Sequence, residues 1–196
     1  LPFYTWAQTG KFYSSDKELS NSLINKVYQD RRGFIWISTE NGLNRFDGNR
    51  FTIYKHNSAD STSLKNNYVR TVFEDSGSRF WIGCINGLQL YDRATDSFKE
   101  IRIHREDGRK NPHVTSIIER TNGDIWIATS GQGIISLKKG KGVNEFGKEK
   151  NLIDRMNSNF MNVIYEDSQK NLWIATEDKG LFKYNPETNA LKCYKA

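Results

Sequence analysis

Four tryptophans in near-identical settings, Trp36, Trp81, Trp126 and Trp173, constrain this chain more than any other feature. They lie 45, 45 and 47 residues apart (81−36, 126−81 and 173−126). Each sits among apolar neighbours, as in Phe34-Ile35-Trp36-Ile37, Phe80-Trp81-Ile82, Ile125-Trp126-Ile127 and Leu172-Trp173-Ile174. A self-similar period of about 45 residues marks a stack of small units, none of which can bury its apolar face alone. The 196 residues are therefore expected to form one assembly of four units.

Laid on the tryptophan register, each unit divides into the same four parts. The first is a run of alternating or paired apolar residues: Ile24 and Val27-Tyr28, Val69 and Val72-Phe73, Val114 and Ile117-Ile118, Met161 and Ile164-Tyr165. β-Branched residues in that pattern predict a strand. Polar turns follow, such as Asp30-Arg31-Arg32-Gly33 and Asp75-Ser76-Gly77, with residues that suit a hairpin. The tryptophan strand ends in small residues, Ser38-Thr39, Gly83-Cys84, Ala128-Thr129 and Ala175-Thr176, as a close approach of neighbouring sheets requires. A second turn carries Gly42, Gly87, Gly133 and Gly180, each followed by an aliphatic residue. Third strands through Phe46, Tyr91, Leu137 and Tyr184 and outer strands at 51–54, 98–101, 143–146 and 191–194 complete the units. Four antiparallel strands per repeat predict an all-β fold of β-propeller blades. The pattern contains no helical stripe of useful length. The third unit departs furthest, with Leu137-Lys138 in place of the aromatic-Asp pair of the first two.

An N-terminal segment, 1–20, is expected to precede blades at about 21–64, 65–110, 111–156 and 157–196. Lys11-Phe12-Tyr13 reads as the end of an outer strand leading into the first unit, yet the fourth unit has an outer strand of its own. The chain is therefore expected to be an incomplete arc of a larger propeller of about seven blades. Open blade faces predict self-association or coverage by blades missing from the arc.

Composition narrows the function. A mean hydropathy of −0.73 goes with apolar runs far short of the roughly 18–20 residues that span a bilayer. The net charge of +6 and runs such as Lys138-Lys139-Gly140-Lys141 invite a nucleic-acid reading. The positive charges are scattered through turns instead of gathered on one stripe, so no nucleic-acid partner is expected. Cys84 and Cys193 occupy different positions in their repeats and predict no pairing. Leu1-Pro2-Phe3-Tyr4-Thr5-Trp6-Ala7 is apolar, with small residues at Thr5 and Ala7, and reads as the remnant of a secretory signal.

The same residues argue against catalysis. Most of the 23 acidic residues fall in the repeated turns, where turn formation explains them. His56, His104 and His113 have no metal-ligand spacing, and Gly131-Gln132-Gly133 belongs to a repeat turn. No catalytic residue, metal or cofactor is expected.

One string recurs through the chain. It reads Val27-Tyr28-Gln29-Asp30-Arg31-Arg32-Gly33-Phe34-Ile35-Trp36-Ile37-Ser38-Thr39-Glu40-Asn41-Gly42-Leu43-Asn44-Arg45-Phe46-Asp47 in the first unit. It returns as Val72-Phe73-Glu74-Asp75, Trp81-Ile82-Gly83 and Gly87-Leu88-Gln89-Leu90-Tyr91-Asp92 in the second. This resembles the two-component regulator propeller repeat of bacterial hybrid sensor proteins, from about residue 20 to 196 and most weakly in the third unit. The resemblance implies a periplasmic, non-enzymatic sensor region of an inner-membrane protein. In that family, propellers precede a further β domain, a membrane helix, a histidine kinase and a response regulator, and respond to oligosaccharides released from glycans.

Propeller topology gathers the loops entering the first strands and those between second and third strands on one face. The former offer Asn21, Asn66, Asn67, Tyr68, Asn111, His113 and Asn159 as candidate ligand residues. The latter offer Glu40, Asn86, Gln132 and Glu177. Amides and carboxylates bond sugar hydroxyls, and an aromatic ring such as Tyr68 covers a sugar's apolar face. A protein–protein scaffold is the alternative, with glycoside hydrolysis further behind.

Overall fold

The computed structural model describes residues 13–14, 18–103 and 111–195. The secretory-signal reading, the Lys11-Phe12 part of the leading strand and His104 lie outside the described residues. Four antiparallel sheets of four strands follow one another along the chain. Blade 1 is β1 (Ile24–Gln29), β2 (Ile35–Thr39), β3 (Gly42–Phe46) and β4 (Phe51–Tyr54). Blade 2 is β5 (Val69–Glu74), β6 (Phe80–Cys84), β7 (Gly87–Asp92) and β8 (Ser97–Ile101). Blade 3 holds β9 (His113–Glu119), β10 (Ile125–Ser130), β11 (Gly133–Leu137) and the short β12 (Gly147–Lys148). Blade 4 is β13 (Met161–Glu166), β14 (Leu172–Thr176), β15 (Leu181–Asn185) and β16 (Ala190–Tyr194).

Blades pack in chain order, and their first strands adjoin: β1 on β5, β5 on β9, β9 on β13. The first three tryptophans each reach into the next blade. Trp36 lies 4.6 Å from the Phe80 ring centroid and 5.0 Å from that of Tyr91. Trp81 joins Ile125, Leu137 and Phe146, and Trp126 joins Leu172 and Phe182. The small residues that end the tryptophan strands make room for this approach. A methyl group on Gly83 would stand 2.5 Å from Val114 Cγ1 of the following blade. Backbone conformation fixes the other repeated glycine: Gly42, Gly87, Gly133 and Gly180 all have positive φ, from +77° to +152°.

A polar tie recurs with the packing. The indole N–H groups of Trp36, Trp81 and Trp173 donate to Asp30, Asp75 and Asp167, six residues earlier, at 2.9, 2.8 and 2.8 Å. The same carboxylates accept turn N–H groups, such as those of Phe34, Arg79 and Asn171. A second tie crosses each seam. The N–H groups of Arg31, Ser76 and Thr121 donate to Glu74, Glu119 and Glu166 of the next blade, at 2.8, 2.6 and 2.6 Å.

Blade 3 corrects two expectations. No strand forms at 143–146: the backbone turns there, with the Glu145 N–H on the Gly142 carbonyl, and the outer strand is only Gly147–Lys148. A helix, α1 (Lys150–Met156), takes over the covering role and buries Leu152, Ile153 and Met156. Ile153 packs directly on Gly133, where a Cβ would meet its side chain at 2.6 Å. The helix escaped the sequence pattern because about two turns offer a single apolar cluster and no repeat of it. It stops at Asn157, whose left-handed conformation (φ 52°) lets its N–H return to the carbonyls of Ile153 and Asp154.

The two ends of the arc differ from its interior. Val72, Ile117 and Ile164 are sealed by the preceding blade, but the equivalent Val27 of blade 1 is 59% exposed. Ile24 is likewise open, whereas Val69, Val114 and Met161 are buried. On blade 4, Val163 and Tyr165 are exposed and Trp173 is only half-buried. Tyr13 packs on Phe46 and Phe51 of blade 1, with ring centroids 5.4 and 5.1 Å away.

Candidate ligand site at the inner rim

The first strand of every blade carries one extra residue, at Asn25, Arg70, Thr115 and Asn162, where the register with the second strand shifts. Such bulges bend a strand and re-aim its side chains. Asn25 and Thr115 use theirs to lock the seam, donating to the carbonyls of Val69 and Met161 of the next blade at 2.8 and 2.7 Å. Arg70 does not. Among the described residues its guanidinium makes one long contact, 3.5 Å, to the Tyr68 hydroxyl.

Just before each bulge, thirteen residues ahead of the tryptophan, stand Leu23, Tyr68, His113 and Phe160. Four residues after the tryptophan stand Glu40, Ile85, Ser130 and Glu177. Strand pairing and turn bonds bring the two sets together at one end of the blades. Tyr68 donates its hydroxyl to Glu40 of blade 1 at 2.9 Å. Ser130 pairs with His113 in its own sheet, bridges to Phe160 of blade 4 and donates to Glu177 at 3.2 Å. A polar arc, Glu40–Tyr68–Arg70–His113–Ser130–Glu177, thus crosses all four blades, edged by the exposed Leu23, Ile85 and Phe160.

Two buried polar atoms in this region have no partner among the described residues: His113 Nε2 and Asn86 Oδ1. Buried polar groups are normally paired, so an unpaired one calls for an acceptor or donor from elsewhere. Burial, with Arg70 nearby, pushes the His113 pKa below its ordinary value, against the opposing pull of Glu177. The ring is consequently neutral at pH 7, with one donor and one acceptor nitrogen.

The positions proposed from sequence separate into two groups. Glu40, Tyr68, His113 and Glu177 belong to the arc, and Asn86 lies beside it in the turn after Cys84. Gln132 is half-buried in the equivalent turn of blade 3. The remaining asparagines are engaged in bonds of their own. Asn21 and Asn66 accept the N–H two residues on, at 2.7 Å each, and Asn67 accepts the His56 N–H. Asn111 donates to Glu100, and the Asn159 carbonyl accepts the N–H groups of Gly131 and Gly133. Sequence reasoning missed Arg70 and Phe160. The register would have found Phe160, since it occupies the position held by Leu23, Tyr68 and His113 in the other blades.

Among the described residues, no group of three or more His, Cys, Asp or Glu side chains could hold a metal ion. No helix of the described residues is long and apolar enough to cross a membrane.

Known proteins share this architecture. The sequence profile of the two component regulator propeller family matches residues 18–41, 63–86, 108–131 and 155–178, once per blade. Over 46 residues the chain is 48% identical to Histidine kinase P4 of Formosa agariphila, covering 24% of this chain and 3% of that protein. An extracellular domain of B. thetaiotaomicron, described as that of a hybrid two component system, superposes with a TM-score of 0.72 at 27% identity. That match covers 87% of this chain and 25% of the other. A second such domain from B. thetaiotaomicron shares the fold, with a TM-score of 0.57 and 21% identity over 93% of this chain and 31% of its own. The chain thus spans about a quarter to a third of these extracellular domains. Its four blades are two-component regulator propeller repeats, and the chain belongs to that family.

Proposed function

We propose that the chain is a non-catalytic ligand-sensing part of an extracytoplasmic sensor region, with the inner-rim arc as its binding surface. The observation that carries this reading is the pair of buried, unpartnered atoms, His113 Nε2 and Asn86 Oδ1, beside the under-used Arg70 guanidinium. The ligand class we assign is an oligosaccharide released from a glycan. Carboxylates, a guanidinium, a neutral imidazole and hydroxyls serve sugar hydroxyls as both donors and acceptors, and the exposed Phe160 ring suits a pyranose face. The likeness to extracellular domains of two-component systems and to part of a histidine kinase supports a periplasmic location and a downstream histidine kinase. Binding across four blades would favour one arrangement of the arc over others, and that bias is what a sensor passes on. We further read the bare faces of blades 1 and 4 as surfaces for additional blades or for self-association.

Calorimetric titration with a panel of glycan-derived oligosaccharides tests the assignment. Saturable heat is expected from one member, reduced at least tenfold in His113→Ala and Tyr68→Ala. Silence across the panel, or binding indifferent to both substitutions, would remove the rim as the site.

A further inference from the structure

The opposite end of the blades, where first and second strands turn, is built differently. There the acidic side chains face inward with their lone pairs already used. Asp30 accepts from the N–H groups of Arg32 and Phe34, from the Trp36 indole and from Arg93. Glu74 accepts from the Arg31 N–H and from Arg93, and Asp75 from Arg79 and the Trp81 indole. These buried acids hold Arg93 and Arg79 in place. Arg93 spans Asp30 of blade 1 and Glu74 of blade 2 at 2.8 and 3.0 Å. Arg79 contacts Asp75 at 2.6 Å through Nε, with its guanidinium carbon 5.0 Å from the Trp81 ring centroid.

Over this seam lies an open cavity of about 610 Å³, its polar wall formed by Arg32, Ser78, Arg79, Asp92, Arg93 and Lys99. The Arg32 and Lys99 side chains have no protein partner among the described residues, and the Arg79 Nη groups and the Ser78 hydroxyl are also unused. Asp92 is the one acid in the wall, and its carboxylate accepts the Ala94 N–H of its own turn at 2.8 Å. The cavity therefore presents donors with few acceptors. The acids behind it cancel Arg79 and Arg93, and Arg32 with Lys99 outweigh Asp92.

We infer that this cavity binds a small molecule through a sulfate or phosphate group, seated between Arg32 of blade 1 and Arg79 and Lys99 of blade 2. A tetrahedral oxyanion offers several acceptors to a fixed fork of guanidinium donors, which a neutral sugar does not. The volume falls within the range of small-molecule sites and leaves room for the sugar that bears the ester. This site is separate from the rim and stands whether or not the rim binds oligosaccharide. Its occupant would tie blade 1 to blade 2 from outside.

Calorimetry of the whole chain with glucose 6-sulfate and with glucose 6-phosphate, against glucose, tests it. Saturable binding of at least one ester and none of glucose is expected, and the tighter ester identifies the source of the oxyanion. Arg32→Glu and Lys99→Glu, both at exposed positions, should each weaken it at least tenfold, and added salt should weaken it further. His113→Ala should leave it unchanged. Failure of both esters to bind, or affinity unaltered by the two charge reversals, overturns the site.

Discussion

Val72 and Val27 occupy the same position in successive repeats, and their surroundings could hardly differ more. Val72 is sealed between blades 1 and 2, while Val27 is 59% exposed on the open side of blade 1. The contrast teaches that the repeat sequence encodes the blade, whereas burial is conferred by the neighbour. A similar contrast separates blades 2 and 3. The Trp81 indole is buried and bonded to Asp75, but in blade 3 the residue at that position is Arg120. Trp126 Nε1 is consequently buried with no acceptor among the described residues, and Arg120 instead lies over its ring, 5.0 Å from the centroid, while pairing with Glu166. Blade 3 thus forgoes one hydrogen bond and is held to blade 4 by an ion pair across the seam.

The largest effect should come from placing a charge at the two valine positions. Val72→Asp buries a carboxylate with no partner and is expected to cost about 4 kcal/mol or more, enough to unfold the seam. Val27→Asp is expected to change stability by no more than about 0.5 kcal/mol. Denaturant melts of the two variants decide the matter; equal losses would mean that Val27 is covered after all. A middle-sized effect should distinguish the indoles. Trp81→Phe loses a hydrogen bond that Trp126→Phe never had, so the blade 2 variant should be less stable by about 1 kcal/mol than the blade 3 variant. The reverse order would show that Trp126 has an acceptor in solution.

Acid should act more gently on the polar ties. Burial raises the Asp30 pKa, but the Trp36 indole, Arg93 and the Phe34 N–H outweigh it and hold the carboxyl below its ordinary value. Asp124 of blade 3 is held low in the same way, its burial outweighed by the Lys139 N–H and Lys138. A carboxyl whose folded pKa is depressed contributes stability that is complete above its unfolded pKa of about 4 and is lost as pH falls through the lower folded value. The decline in melting temperature below about pH 4 should therefore be flattened by Asp30→Asn, whereas any smaller decline between pH 7 and 5, where the depressed His113 acts, should be untouched by it. An unchanged melting temperature down to pH 3 would contradict these ties.

Much of this was legible from residues alone. The tryptophan period, the small residues at Gly83 and Ala128 and the positive-φ glycines each reflect a local demand that recurs in every blade, so repetition exposed them. Helix α1 was hidden because its apolar residues, Leu152, Ile153 and Met156, do not recur in any other unit. At the rim, asparagine content was a poor guide, since Asn21 and Asn66 shape turns. Arg70 went unnoticed because its importance comes from what it lacks: the seam bond that its counterparts Asn25 and Thr115 make. Such an absence is visible only in three dimensions.

Blade 3, the most divergent repeat, also contributes the residue at the middle of the arc. The most direct measurement is therefore an NMR titration of the intact chain with the tightest-binding oligosaccharide, following the imidazole resonances of His113 and His56. The rim assignment predicts that His113 shifts to saturation with the binding isotherm while His56, bonded to the Leu64 carbonyl away from the arc, stays in place. Saturable sugar binding that leaves the His113 ring undisturbed would contradict it.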